Sequence, residues 1–280
     1  MLPKRRWVKW PGRTAQELNG VAGVAGLGGI AVGASSLAFL GSAALALTGV
    51  GTIFVVGAVG YAVVKAFPPR VLSPDELVGK VVDLNTLQNV SPAIRTLAII
   101  GPGKAGKTTL RNRLAFDATP VTRTQQITAY VVSLQTAPVS YLAILDGGGE
   151  RFAQQFKLAE MCDYLCIVVD HNTSDSEIAV DQSRIAEHDV FLKQIWHHLD
   201  ESNAPQKLWI HVLINKHDLW KNTMPEQQAA LVKFFKDEID KWNQGRRAKK
   251  ADFRSHSNDV PNDIAAFMDL LKQTATSSGG

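Results

Sequence analysis

Hydrophobic and polar residues are distributed unevenly along this chain of 280 residues. Residues 18–64 contain no Asp, Glu, Lys or Arg, whereas short apolar runs alternate with polar stretches from Ile94 onwards. A helix that spans a bilayer needs about 20 apolar residues, and the uncharged run is more than twice as long. Gly41 and Ser42 interrupt it near its middle. The pattern therefore predicts a transmembrane hairpin of two helices over residues 18–66, and a single crossing is the alternative left open.

Basic residues flank the uncharged run on both sides. They are Lys4, Arg5, Arg6, Lys9 and Arg13 before the run and Lys65 and Arg70 after it. Positively charged flanks stay in the cytoplasm, so both ends of a hairpin, and the domain that follows it, are expected there. Glycines spaced as Gly29 and Gly33 let helices approach closely in lipid, either within the hairpin or in a homo-oligomer. We therefore expect a multi-pass membrane protein.

The net charge of +4 resides in the N-terminal segment. Five basic residues and Glu17 give +4 within residues 1–17, so the remainder of the chain sums to zero. Nucleic-acid binding would need basic residues spread over the folded domain. We therefore expect a basic cytoplasmic N-terminus that contacts anionic lipid, with the bilayer and no nucleic acid as partner. A cleaved signal peptide is disfavoured, because its apolar region would span only about 7–15 residues.

Prolines mark the end of the apolar segment. Pro68 and Pro69 cannot continue a helix, so residues 67–93 are predicted to be a linker, with a short helix beginning at Ser73-Pro74. Residues 274–280 are rich in Ser and Gly and are predicted to be a disordered tail. A folded domain is expected between these two segments, over residues 94–273.

Within that domain, apolar runs rich in β-branched residues alternate with helical stretches. The runs are residues 97–100, 130–134, 141–145, 164–169 and 208–214, with a last strand near Asp252-Phe253. The helical stretches are residues 108–115, 151–162, 176–199, 225–242 and 260–272. This alternation predicts an α/β domain with a mostly parallel six-stranded sheet and helices on both faces. Ligands of such sheets bind at the carboxyl ends of the strands.

A phosphate-binding motif follows the first of these strands. Residues 101–108 read Gly-Pro-Gly-Lys-Ala-Gly-Lys-Thr and match G-x-x-x-x-G-K-[ST] between a strand and a helix, as the motif requires. Backbone N–H groups and the helix N-terminus would hold the phosphates, Lys107 would bridge the β- and γ-phosphates, and Thr108 would ligate Mg²⁺. The candidate nucleotide-binding residues are Gly101, Gly103, Lys104, Ala105, Gly106, Lys107, Thr108 and Thr109.

The stretch from Ile144 to Phe152, Ile-Leu-Asp-Gly-Gly-Gly-Glu-Arg-Phe, follows the third run. It resembles the second switch of Ras-, Rab- and Arf-like GTPases of the TRAFAC class. The resemblance extends over residues 94–272 and implies a P-loop GTPase fold that binds GTP or GDP with Mg²⁺. It also implies that Asp146 holds Mg²⁺ through water and that the Gly149 amide senses the γ-phosphate.

Residues Asn215-Lys216-His217-Asp218 follow the fifth run and match the N-K-x-D motif of that family. A carboxylate at Asp218 can accept two hydrogen bonds from guanine N1–H and its exocyclic amine. Adenine presents a different edge and would leave the carboxylate unpaired. The stem of Lys216 can cover the base, and Asn215 can support the loop. The sequence therefore predicts guanine rather than adenine as the bound base.

Two further family elements are fainter in this chain. The first switch needs a Thr that reaches Mg²⁺ and the γ-phosphate. Thr124 fits the family spacing best, while Thr122 and Thr128 stay open. The Ser-Ala-Lys motif of Ras-like proteins corresponds to Ser255-His256-Ser257, where only the first Ser matches. The resemblance implies that Thr124 reaches Mg²⁺ and the γ-phosphate and that Ser255 and His256 contact the nucleotide.

Two departures from the family bear on the catalytic rate. Glu150 stands where Ras-like proteins have a Gln that orients the attacking water, and a carboxylate beside the γ-phosphate is electrostatically unfavourable. Lys104 stands where related GTPases carry a catalytic Arg or a K⁺-binding Asn. It is expected to act either as a cationic finger, worth roughly 10³–10⁵ in rate, or as a solvated loop lysine.

The resulting expectation is a membrane-anchored GTPase that switches with its nucleotide and binds a protein effector or regulator. Lys104, Lys107, Thr124 and Glu150 are its candidate catalytic residues. Two alternatives stay open. One is a GTP-loaded membrane scaffold that hardly hydrolyses, which Glu150 favours. The other is a GTP-triggered effector whose Gly-rich hairpin perturbs the bilayer.

Overall fold

The computed structural model describes residues 70–115, 127–146, 152–202, 204–245 and 248–277. The predicted hairpin, residues 18–66, and the basic N-terminus, residues 1–17, lie outside this part of the chain. Among the described helices, none combines the length and the apolar character needed to cross a bilayer. The described residues from Ser73 onwards form one compact unit.

Seven strands form the single sheet of this unit. They are β1 (Val81–Asp83), β2 (Arg95–Ile100), β3 (Thr128–Ser133), β4 (Tyr141–Asp146), β5 (Tyr164–Val169), β6 (Trp209–Ile214) and β7 (Ala251–Ser255). Their order across the sheet is β1-β3-β4-β2-β5-β6-β7. β3 pairs antiparallel with β1 and β4, and all other pairings are parallel. The predicted mostly parallel sheet is therefore confirmed.

Helices connect the strands. They are α1 (Leu84–Leu87), α2 (Lys107–Ala115), α3 (Phe152–Met161), α4 (Gln182–Glu201), α5 (His217–Trp220), α6 (Pro225–Gln244) and α7 (Pro261–Ser277). Asp181 caps α4, because its side chain accepts a hydrogen bond from the backbone N–H of Ser183. Pro225 and Pro261 occupy first positions of α6 and α7, where the missing N–H has no intrahelical partner to lose.

The sheet is buried on both faces. Alternate residues of the central strands, such as Leu97, Cys166 and Leu213, join α2 and α7 in one hydrophobic cluster. The residues between them, such as Ala98 and Ile167, are also buried, on the side where α3, α4 and α6 pack. All six residues of β5 and all six of β6 are buried, as is typical of parallel strands covered on both faces.

The predicted count of six strands is wrong by one. The additional strand, β1, lies in the segment of residues 67–93 that was predicted to be a linker. Val81 and Asp83 are exposed and Val82 is only half-buried, so no alternation of apolar and polar residues indicated a strand. β1 is fixed instead by pairing with β3, Val81 opposite Tyr130. The short helix predicted at Ser73-Pro74 is present as a 3₁₀ turn over Pro74–Leu77.

Two helix boundaries also differ from the prediction. The helix α4 begins at Gln182 rather than at residue 176, because Asp181 provides its cap. The helix α7 continues to Ser277, so the tail predicted over residues 274–280 is partly helical. In this last part of the helix, the hydroxyl of Thr274 donates a hydrogen bond to the carbonyl of Leu270, one turn earlier, at 2.8 Å.

Candidate nucleotide site

The phosphate loop lies between β2 and α2, at the carboxyl edge of the sheet. Ala105 is buried, whereas the side chains of Lys104, Thr108 and Thr109 are exposed. The ammonium of Lys107 donates a hydrogen bond to the carbonyl of Pro102 at 2.5 Å and so folds back over the loop. The loop therefore joins a lysine ammonium to the N-terminus of a helix, two features that attract an anion.

Gly106 stands where this loop meets the two neighbouring loops. Its φ of 95° lies in the region that favours glycine. A Cβ there would lie 2.3 Å from Nδ2 of Asn215 and 2.6 Å from Nδ2 of Asn258. The loops that follow β6 and β7 can approach the phosphate loop this closely because residue 106 has no side chain.

The side chains of Asn215 and Asn258 fasten the three loops together. Asn215 Nδ2 donates to the carbonyl of Ala105 at 2.9 Å, and its Oδ1 accepts from the backbone N–H of Asn258 at 3.2 Å. Asn258 Nδ2 donates to the carbonyl of Gly106 at 2.9 Å. Asn215 therefore supports the loop, as the sequence predicted, and Asn258 is a second support that the sequence did not reveal.

Lys216 lies in the left-handed region with φ of 59°. Its ammonium donates to the carbonyls of Asn172 and Ser174, each at 2.9 Å, and lies 2.9 Å from Oδ1 of Asp175. The ammonium of Lys216 is thus bound by groups of the protein itself. Lys216 also lines the adjoining cavity, and its role in covering a base stays a prediction.

A cavity of about 210 Å³ opens between these loops. It is lined by Gly106, Thr109, Asp175, Asn215, Lys216, Asp218, Leu219, Ser257, Asn258 and Asp259. Three predicted elements therefore meet at one place: the end of the phosphate loop, the start of α2 and the N-K-x-D loop. Asp175, Leu219 and Asp259 were not predicted, because nothing in their local sequence indicates a binding role.

Charge changes sign across this site. Lys104 and Lys107 lie at the phosphate loop, whereas the cavity carries the carboxylates of Asp175, Asp218 and Asp259. Asp175 is paired with Lys216, and Asp259 lies 3.5 Å from the guanidinium of Arg113. One end therefore suits an anion, and the other suits a group that donates hydrogen bonds.

Of the predicted Ser255-His256-Ser257 motif, only Ser257 lines the cavity. Ser255 is the last residue of β7 and pairs with Ile214. His256 is buried, its Nε2 lies 3.0 Å from Oδ1 of Asn258, and burial lowers the pKa of its imidazole. The loop after β7 contributes Ser257, Asn258 and Asp259 to the cavity wall. A match on a single Ser could not fix the register of this loop.

The switch residues are only partly described. Thr124, Gly149 and Glu150 lie outside the described residues, so their roles stay predictions. Asp146 is the last residue of β4 and pairs with Thr128, the first residue of β3. Two of the predicted magnesium ligands therefore lie at the end of β4, Asp146, and in the first turn of α2, Thr108.

Comparison with known proteins identifies the class of domain. Residues 96–216 match the model of a family described as 50S ribosome-binding GTPase. This match covers less than half of the chain, but it includes the phosphate loop and ends at Lys216. No curated protein matches the chain. With the motifs and the sheet described above, the family match shows that the chain contains a P-loop GTPase domain.

Solved structures resemble the chain weakly. One is a GTP-binding protein from the hyperthermophilic archaeon Sulfolobus solfataricus in complex with GDP, with 16% identity and a TM-score of 0.46, covering 81% of this chain and 62% of that chain. Another is the translation elongation factor SelB from Methanococcus maripaludis in complex with the GTP analogue GppNHp, with 21% identity and a TM-score of 0.43, covering 65% and 34%. The chain thus spans less than two thirds of the length of either structure.

Proposed function

We propose that this chain is a membrane-anchored GTP-binding protein that hydrolyses GTP to GDP and phosphate and switches with its nucleotide. One observation supports this most: Asp218 and Gly106 line the same cavity. A ligand in that cavity lies against the end of the phosphate loop. The two ends of the site therefore select the two ends of one molecule, a nucleotide.

Guanine is the base that this cavity suits. A carboxylate at Asp218 accepts hydrogen bonds and donates none, so it needs a base edge with two donors. Guanine offers N1–H and the exocyclic amine, whereas adenine would leave the half-buried carboxylate unpaired. Hydrogen bonds to a charged group contribute about 1.5–3 kcal/mol each. Two of them favour GTP over ATP by about 10²–10⁴-fold.

The phosphate end suits a nucleotide with Mg²⁺. Lys107 and the backbone N–H groups of the loop bind the phosphate oxygens. The Thr108 hydroxyl is a hard oxygen ligand of the kind that Mg²⁺ takes, with Asp146 and Thr124 as the further proposed ligands. When bound, the ion neutralises charge on the phosphates. This chain's contribution is to hold the phosphates against the loop.

Hydrolysis depends on how a water molecule is oriented at the γ-phosphate. Glu150 is not suited to this while it is ionised, because its charge repels the phosphate. Lys104 has its side chain exposed beside the loop, with φ of 61°. We infer that its ammonium offsets the negative charge that develops on the phosphates in the transition state. If Lys104 did not offset this charge, the chain would be the GTP-loaded membrane scaffold that hardly hydrolyses.

Membrane attachment rests on the uncharged run within residues 18–66. Its length and basic flanks support two crossings with the GTPase domain in the cytoplasm. Alkaline carbonate extraction of cell membranes tests attachment, and protease protection of tags at both termini tests topology. Retention in the pellet with both tags on the cytoplasmic side is expected. Release into the supernatant would refute membrane insertion.

Equilibrium binding of GTP and ATP to the full-length chain in detergent micelles tests the nucleotide assignment. The wild type is expected to prefer GTP by at least about 10²-fold, and Asp218→Ala should lose this preference. Asp237→Ala is the matched control, because Asp237 pairs with Lys233 on α6 and does not line the cavity. An undiminished preference for GTP in Asp218→Ala would refute the base assignment. Single-turnover hydrolysis on the same samples then separates a GTPase from a scaffold.

A further inference from the structure

A buried ion cluster lies behind the phosphate loop, formed by Asp170, Arg184, His188 and Lys216. Asp170 directly follows β5, and its side chain is fully buried. Arg184, on the first turn of α4, is 2% exposed. Charged groups are rarely buried this completely unless they are paired. None of the phosphate-binding or base-reading motifs includes Asp170, Arg184 or His188.

The guanidinium of Arg184 is held by three acceptors at once. Nε donates to Oδ1 of Asp170 at 2.6 Å, and Nη1 donates to Oε2 of Glu187 at 2.5 Å. Nη2 donates to the carbonyl of Gly103 at 2.7 Å. Since the guanidinium is planar and rigid, two carboxylates fix its plane, and the third bond then fixes the direction of the Gly103 carbonyl.

Holding that carbonyl also orients the next amide. The peptide unit is planar and trans, so the N–H of Lys104 points opposite to the carbonyl of Gly103. The carbonyl side is filled by the buried Arg184. The Lys104 N–H therefore points away from Arg184. Lys104 also has φ of 61°, a conformation that a non-glycine residue keeps only when its surroundings impose it.

This peptide lies at the distal end of the loop. Gly106 and Thr109 line the cavity that contains Asp218, whereas Gly103 and Lys104 do not. A nucleotide whose base lies in that cavity places its first phosphate near Gly106 and its outer phosphates towards Lys104. The Lys104 amide is therefore positioned for the β-phosphate and what lies beyond it, and not for the α-phosphate.

The carboxylate of Asp170 connects this end of the site with the base end. Its Oδ2 lies 3.1 Å from the ammonium of Lys216. Oδ2 accepts no well-directed hydrogen bond from the described residues, so this contact is an ion pair. Burial alone would raise the pKa of Asp170, but hydrogen bonds with His188 and Arg184 lower it below its usual value. Burial lowers the pKa of His188, which is therefore neutral near pH 7.

We propose that Arg184 is a positioning residue for the outer phosphates. It holds the Gly103–Lys104 peptide so that the Lys104 amide faces the nucleotide, and Asp170 joins it to Lys216 at the base end. This inference rests on the proposed function. If the pair of Arg184 and Asp170 were purely structural, its loss would lower the stability of the domain. Any effect on nucleotide binding would then not depend on the number of phosphates.

Arg184→Lys tests the proposal by binding of GMP, GDP and GTP to the full-length chain in detergent micelles. Lysine keeps the charge beside Asp170 but cannot fork between Asp170 and Gly103. The affinity for GDP and GTP is expected to fall about tenfold or more, with GMP changed less than about twofold. Arg95→Lys is the matched control: Arg95 pairs with Asp163 at the amino end of β2, away from the phosphate loop, and this variant should bind all three nucleotides as the wild type does.

Equal changes for GMP, GDP and GTP, or no change for any of them, would overturn the proposal while leaving guanine binding intact. A wild type that binds no guanine nucleotide would refute the proposed function itself, and this inference with it. A second measurement needs no variant at Arg184. In ¹⁵N-lysine-labelled wild type, the Lys104 amide resonance should shift on addition of GDP and stay in place with GMP. A shift with both ligands would contradict the proposal.

Discussion

Gly106→Ala would place a methyl group at the junction of the three loops. The added Cβ would lie 2.3 Å from Nδ2 of Asn215 and 2.6 Å from Nδ2 of Asn258. Both amides are engaged, with the carbonyls of Ala105 and Gly106, so neither can move without losing a hydrogen bond. The substitution therefore acts on the backbone and on both loop contacts together.

The size of the effect follows from these contacts. An L-residue in the left-handed region costs about 1–2 kcal/mol, and each displaced hydrogen bond about 1 kcal/mol. Together they lower the free energy of unfolding by about 3–4 kcal/mol. Gly103→Ala is the matched control, since a Cβ there meets nothing within 4 Å, and its unfolding free energy should stay within about 0.5 kcal/mol of wild type.

Urea unfolding of the full-length chain in detergent micelles, followed by tryptophan fluorescence, measures both variants. GDP affinity is measured on the same samples. Gly106→Ala is expected to be destabilised and to bind GDP at least about tenfold more weakly, because the loop can no longer close against Asn215. If the two alanine variants behave alike, close contact of the three loops is not what shapes the site.

Three further predictions concern catalysis, the loop contacts and pH. Lys104→Ala should slow single-turnover GTP hydrolysis by tenfold or more, of the roughly 10³–10⁵ that a cationic finger can supply, with GTP affinity within about threefold; unchanged turnover would leave Lys104 a solvated lysine. Asn258→Ala should weaken GDP binding about tenfold in titrations, because it removes the hydrogen bond to Gly106; wild-type affinity would exclude this support. Burial lowers the pKa of His211 to about 3, so the unfolded chain binds the proton first, and stability present above about pH 6.5 is lost as the pH falls towards 3. His211 stacks against Trp209, so Phe is a conservative replacement. In urea titrations, His211→Phe should lose about 1.4 kcal/mol less stability than wild type between pH 7.5 and 5.5; an identical loss would show that His211 is not the group whose protonation destabilises the fold.

The fold and the motif-bearing loops could be predicted because their signals are local. The strands β5 and β6 are apolar throughout, and the phosphate loop is one continuous motif between a strand and a helix. The strand β1 could not be predicted, since its residues are mostly exposed and only pairing with β3 defines it.

The supports of the site escaped prediction for a different reason. Asn258 lies 43 residues from Asn215 and 152 from Gly106 along the chain, and Arg184 lies 81 residues from Gly103. No spacing within one helix or strand brings such residues together. Their roles arise only when the sheet places the loops after β2, β5, β6 and β7 at one edge.

In the proposed binding mode, a guanine base lies against Asp218 while its phosphates lie in the loop at Gly106. Its most direct test is competitive binding of GTP and xanthosine triphosphate to wild type and Asp218→Asn. Xanthine carries a carbonyl where guanine carries its exocyclic amine, so it suits an amide donor and not a carboxylate. Wild type is expected to prefer GTP, and Asp218→Asn is expected to prefer xanthosine triphosphate. An Asp218→Asn variant that keeps the wild-type preference would contradict it.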